Sequence, residues 1–327
     1  MLVRLLFAIM AIFVLSLNFA CGAGGEAFTD ASKAGPDFAV QGEYKGELTG
    51  GGSRKPAGLQ VIAYGDGAFE AVLFHGGLPG DGWKRGDKKE SAKGKLEAGA
   101  LKFGEPLGTG KLEGNKLTLV NSANETIGSF EKVERKSPSL GAKPPEGAIV
   151  LFDGSNVDEF PGATMTEDKL LLAGAMSKRE FADFILHLEF RTPFMPKSKE
   201  QARGNSGVYL QNRYEIQVLD SFGLDGKNNE CGGLYSLKEP AVNMCLPPLS
   251  WQTYDVDFTA ARFDGDRKLK NARATVKHNG VVIYDDVEFP DKTPGGADKE
   301  APGRGPFQLQ QHGNPVTYRN IWVVEKK

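Results

Sequence analysis

Two stretches of this chain set chemically capable side chains at alternate positions of otherwise apolar strands. One is Gly204-Asn-Ser-Gly-Val-Tyr-Leu-Gln211 with Tyr214-Glu-Ile-Gln-Val-Leu-Asp220; the other is Phe307-Gln-Leu-Gln-Gln-His312. Successive side chains of a strand point to opposite faces. Glu215 and Gln217 therefore share a face opposite Tyr214, Ile216 and Val218, and Gln308, Gln310 and His312 share one opposite Phe307 and Leu309. A third run, Asp183 to Arg191, sets His187, Glu189 and Arg191 against Phe184, Leu186, Leu188 and Phe190. Carboxyl and imidazole groups can move protons, and glutamine amides both donate and accept hydrogen bonds. If these faces belong to one concave sheet, Glu189, Glu215, Gln217, Gln310 and His312 form an acid–base site suited to a substrate rich in hydroxyls. The competing reading is one sheet of a sandwich facing water, which is ordinary for antiparallel sheets.

Other chemistry finds less support. Of the four histidines, His75 and His278 read as structural or exposed, His187 is ambiguous, and His312 is the first choice for function. No His-x-Glu-x-x-His spacing predicts a zinc site. Gly204-Asn205-Ser206-Gly207 is not a nucleophile elbow; its glycines let backbone approach a ligand or bend tightly.

The elements that must hold these residues are strands. Glycine is frequent, with 42 residues, proline adds 18, and no segment sustains a helical period. Short alternating runs between turn dipeptides predict an all-β chain. Residues 37–135 read as a small antiparallel β domain, a sandwich or open barrel, and 136–147 as a Pro-rich linker. Residues 148–327 hold nine or more strands, with a type I′ hairpin at Asn279-Gly280, and predict a two-sheet jelly roll.

Forty basic against forty-two acidic residues, with no basic block, argue against nucleic acid. Residues 1–23 combine Arg4, an apolar run from Leu5 to Leu17, and small residues, as a secretory signal does. Cys21, between Ala20 and Gly22, could instead accept a lipid. Residues 24–36 read as a tether. Either way the mature chain is expected to be secreted, periplasmic or in the cell envelope, meeting a membrane only through its signal or lipid. In that oxidising setting Cys231 and Cys245 are expected to pair as a disulfide, contributing roughly 3 kcal/mol.

Residues 149–325 resemble the 3-keto-disaccharide hydrolase domain family. The resemblance rests on Leu151-Phe-Asp-Gly154, the Asp183–Arg191 strand, Gly204-Asn-Ser-Gly207, Tyr214 to Asp220 and Gly233-Leu-Tyr235. It continues through Trp251-Gln-Thr-Tyr254, Asn279-Gly280, Leu309-Gln-x-His-Gly313 and Arg319-Asn-Ile-Trp322. Gln311 departs from it, standing where the family more often has an acid. The resemblance implies a concanavalin-like jelly roll acting on an oligosaccharide or glycoside. A ketone at sugar carbon 3 acidifies the carbon-2 hydrogen and permits elimination of the glycosidic oxygen, after which water adds. By analogy His312 or Glu215 serves as base or acid. Gln217, Gln310, Glu189, Arg319, Asn205 and Tyr235 contact the substrate. A divalent ion held by Glu215 and His312 could stabilise the enolate. The alternatives are a carbohydrate-binding module, with Tyr209, Tyr235 or Trp251 as stacking platforms, and a cell-envelope scaffold.

Overall fold

The computed structural model describes residues 25–50, 52–296 and 299–326. The signal and Cys21 lie outside the described residues.

Alternation closes the first unit on itself. Strands β1 (Gly42–Gly50), β2 (Ser53–Gly65), β3 (Ala68–His75), β4 (Lys89–Glu97), β5 (Ala100–Phe103), β6 (Thr109–Glu113), β7 (Lys116–Val120) and β8 (Thr126–Val133) pair in sequence, and β8 returns to β1. The result is a closed barrel rather than an open one or a sandwich. Its interior takes every second residue, among them Leu59, Val61, Phe69, Ala71, Leu117 and Phe130, all buried in one cluster. Closure removes the exposed edges that a flat sheet would leave.

The second unit is a β-sandwich. Its larger sheet runs β9 (Ile149–Phe152), β18 (Thr317–Glu325), β11 (Phe184–Arg191), β14 (Gln252–Thr259), β15 (Ala272–His278) and β16 (Val281–Phe289). The smaller sheet runs β10 (Ala175–Phe181), β17 (Gly305–Leu309), β12 (Ser206–Leu210) and β13 (Tyr214–Val218). Phe184, Leu186, Tyr254 and Phe258 of one sheet meet Val208, Tyr214, Ile216 and Phe307 of the other in a single buried core.

The two units share apolar surface. Ile62, Val72, Phe74 and Trp83 from the barrel's outer wall join the sandwich core, while Phe194 enters the barrel cluster. Arg85 adds hydrogen bonds to the carbonyls of Gly226 and Pro240 at 2.8 and 2.9 Å. The proline-rich segment lies on the outer face of the larger sheet. Ser137 and Ser139 bond Thr253 and Asp255, each at 2.6 Å. The Gly141 amide donates to Glu189, also at 2.6 Å.

Candidate active site

In a sandwich the core faces of the two sheets look at each other, so their polar faces look away in opposite directions. That rule divides the expected site residues into two groups. Glu215, Gln217 and Gln310 lie on the outer side of the smaller sheet. Glu189 and Arg319 lie on the outer side of the larger one and cannot join them.

Glu189 is buried beneath the docked 137–142 segment. Arg319 Nε donates to it at 2.6 Å and Asn320 at 2.9 Å, with His187 Nε2 3.8 Å away. Burial alone would raise its pKa, but the hydrogen bonds from His187, Asn320, the Gly141 amide and Arg319 together bring it down to about 2. Arg319 also stacks 4.0 Å over the Trp251 ring. Burial lowers the pKa of His187, while Asp255, at 2.6 Å, and Glu189 raise it, and the net direction is upward. This cluster holds the 137–142 segment against the sheet, with Glu189 kept ionised by its donors. The sequence reading admitted Glu189 and Arg319 to the site only if the polar faces of β11 and β13 shared one sheet, and they lie in different sheets.

On the smaller sheet the register sets Tyr209 opposite Glu215, Gly207 opposite Gln217, and Tyr209 opposite Gln308. Tyr209 Oη donates to Glu215 Oε2 at 2.7 Å and accepts from Gln310 Nε2 at 3.0 Å. A directed chain therefore runs from Gln310 through Tyr209 to the carboxyl. Burial pushes the Glu215 pKa up to about 7, opposed by the Tyr209 hydrogen bond. The Tyr209 hydroxyl is itself driven well upward by burial, then by the Glu215 charge, with Tyr235 contributing. It stays protonated and acts as a donor. The carboxyl is the only member of the three poised to exchange a proton near neutrality.

Two glycines make room for this arrangement. A Cβ on Gly207 would lie 2.2 Å from Glu215 Oε1. At Gly295, where φ is +87°, a Cβ would lie 2.9 Å from Tyr209 Oη. The free edge of β13 is held by two loops. Thr293 Oγ1 accepts from the Glu215 amide at 2.9 Å, and the Tyr235 amide donates to the Glu215 carbonyl at 3.2 Å. The half-buried Tyr235 is thereby brought to the site. Gln217 Nε2 donates to Gln201 Oε1 at 2.9 Å, and Asn205 Nδ2 donates to the Gln201 carbonyl at 2.7 Å. Ser206 is engaged structurally, with Tyr318 and the Gln310 carbonyl each at 2.7 Å.

His312 was expected on a strand face with Gln310. β17 ends at Leu309, and His312 stands exposed in the loop that follows. The hydrogen-bond partner of Glu215 is Tyr209. Sequence reasoning treated Tyr209 only as a stacking platform, and Gln201 and Thr293 went unnoticed. Tyr209 could have been found: Gln211 and Asn212, at φ 52° and 54°, turn β12 into β13 so that the two residues pair. Gln201 and Thr293 sit in irregular segments with no periodic signal.

The expected disulfide is not formed: Cys231 and Cys245 are free, buried thiols. Cys231 Sγ lies 3.3 Å from Tyr254 Oη, and Cys245 Sγ lies 3.5 Å from the Leu219 carbonyl. A divalent ion also finds a poor fit. The Glu215 carboxyl is bonded by Tyr209 and only partly ionised near neutrality, while His312 is exposed on the loop after β17. No group of three or more His, Cys, Asp and Glu able to hold a metal occurs among the described residues, and no step below uses one.

The fold is a β-sandwich that carries a buried carboxyl and phenol in line with a half-buried amide on one outer face. The chain belongs to the 3-keto-alpha-glucoside-1,2-lyase-like domain family, whose model matches residues 147–324, just over half of the 327 residues. Among solved structures it is similar to a Parabacteroides distasonis protein described as a "putative glycosyl hydrolase". Identity is 32% with a TM-score of 0.52, covering 56% of this chain and 85% of that one. A second structure from the same organism, described in the same words, has 17% identity and a TM-score of 0.43, covering 56% and 95%. No curated protein matches the chain.

Proposed function

We propose that this chain is an extracytoplasmic enzyme that cleaves 3-keto-glycosides by elimination followed by hydration. The observation that carries the reading is Glu215, a buried carboxyl with a pKa near 7 bonded to a protonated tyrosine. The family match and the resemblance of its 32%-identical neighbour support a carbohydrate substrate. The extracytoplasmic placement rests on the sequence of residues 1–23.

In the proposed reaction the ionised Glu215 takes the hydrogen from carbon 2. The electron pair enters the adjacent ketone as an enolate, and hydrogen bonds from amide or hydroxyl donors along this face stabilise the developing charge. Collapse of the enolate expels the glycosidic oxygen from carbon 1, leaving a carbon 1–carbon 2 double bond. We assign His312, exposed beyond Gln310, as the acid for the departing oxygen. Water then adds at carbon 1, its remaining proton passing to His312, while Glu215 returns its proton to carbon 2, so the net result is hydrolysis. Gln217, Asn205 and Tyr235 border the same face and are assigned to the sugar.

The test is incubation of the purified chain with a 3-keto-glycoside and with the parent glycoside, with and without chelator. Turnover of the keto substrate alone is expected, falling about 10²–10⁴-fold in Glu215→Gln, as for loss of a general base. Turnover of neither substrate refutes catalysis and leaves a binding module. Turnover of the plain glycoside indicates ordinary glycosidase chemistry.

A further inference from the structure

Between the barrel wall and the sandwich lies a cavity of about 410 Å³, within the range of small-molecule sites. Its apolar side is formed by Ile62 and Tyr64 of β2 with Leu219, Phe222 and Leu224 just beyond β13. Leu224, 37% exposed, is among its lining residues.

The buried charged groups around this cavity are engaged in hydrogen bonds, except Arg203 Nη2. Arg203 Nε donates to Asp220 at 2.6 Å, and its guanidinium lies 5.7 Å over the Tyr64 ring. Tyr64 Oη donates to Glu70 at 3.2 Å. Glu230 accepts from the Gly226 and Lys227 amides at 2.6 and 3.0 Å. A second sugar would need several free donors and acceptors for its hydroxyls, whereas of these buried lining charges only Arg203 Nη2 lacks a partner, beside an apolar and aromatic wall. Lys93 and Glu200, both exposed, stand at the rim.

The cavity adjoins the site of Glu215. Gln201 is in its wall, and the same side chain accepts from Gln217 at 2.9 Å, on the face that carries Glu215. Along the strand from Glu215 to Leu219 is four residues, about 13 Å. A glycoside whose sugar lies over Glu215 and Gln217 would direct its other end here.

We infer that this cavity is an aglycone subsite, taking the flat apolar or aromatic leaving group of the glycoside, so that the barrel sets substrate choice. This rests on the reading of Glu215 as a catalytic base. Ala68, half-buried at the start of β3, lines the cavity without entering the barrel interior, so Ala68→Trp would fill the space from its wall. The test compares 4-nitrophenyl and methyl 3-keto-glucosides in wild type, Ala68→Trp and Tyr64→Ala. Both variants should lose about 10- to 100-fold in kcat/KM on the aryl substrate, the scale of a lost apolar contact. On the methyl substrate they should stay within about twofold. Calorimetric titration with 4-nitrophenol should show saturable binding to wild type that Ala68→Trp abolishes, with thermal unfolding confirming that the variant is folded. Equal losses on both substrates, no loss on either, or 4-nitrophenol binding unchanged by Ala68→Trp would overturn the subsite. Turnover of neither substrate by wild type would overturn the catalytic reading instead, and the titration would still judge the cavity.

Discussion

Replacing Gly207 by alanine places one methyl group where the Glu215 carboxyl now lies. The added Cβ would sit 2.2 Å from Oε1, closer than real Cβ contacts come. The Glu215 carboxyl is the end of a flexible side chain, so it yields before the β12–β13 ladder does. Turning it away costs roughly 0.5–1.5 kcal/mol in side-chain strain. It also breaks the 2.7 Å bond with Tyr209, leaving a buried hydroxyl short of an acceptor at about 1–3 kcal/mol. Together these predict destabilisation of about 2–4 kcal/mol, and catalysis loses more than stability does. A misplacement of about 1 Å at a reacting group costs on the order of 10²-fold. Thermal unfolding and kcat/KM on a 3-keto-glycoside measure the two effects side by side. Full activity in Gly207→Ala, with Glu215→Gln inactive, would refute the claim that this glycine positions the base.

Four further expectations follow from the structure. Because Glu215 must be ionised to take a proton, kcat/KM should rise with pH through about 7. Tyr209→Phe removes the bond that opposes burial, so the rise should move to higher pH; an unmoved profile would exclude Glu215 as the titrating group. Glu215 also couples to stability, with its folded pKa above the 4.5 of an ordinary glutamate. Its contribution is present below 4.5 and lost as pH rises to about 7, a change of about 3 kcal/mol. Glu215→Gln should therefore gain stability relative to wild type between pH 4 and pH 8, and a constant difference in chemical unfolding would contradict the assignment. Glu189→Ala should cost about 3 kcal/mol in denaturant unfolding, as for removal of one partner of a buried ion pair, while kcat is retained. Loss of kcat at undiminished stability would return Glu189 to the active site. Alkylation of the unreduced chain should label Cys231 and Cys245 only after unfolding; a chain that resists labelling when unfolded would show that the pair is oxidised.

Much of the fold was legible because strand period is local. Alternation in Phe184 to Phe190, Tyr214 to Val218 and Phe307 to Leu309 separated core from polar residues, and the paired sheets followed from strand count. The same alternation linked Glu215 with Gln217. It failed at His312, because the strand ends at Leu309 and the residues beyond follow a loop. It could not reveal that the first unit closes into a barrel, since closure depends on β1 meeting β8 across the whole unit.

What sequence alone determined was which side of each strand carries chemistry. It could not say which strands share a sheet, because register and sheet membership come from contacts between residues far apart in the chain. Only the tertiary structure sent Glu189 and Arg319 to one outer face and Glu215 to the other. It also set Tyr209 against Glu215 and buried that carboxyl deeply enough to bring its pKa near 7. Burial is a property of everything packed around a group, and no strand period encodes it.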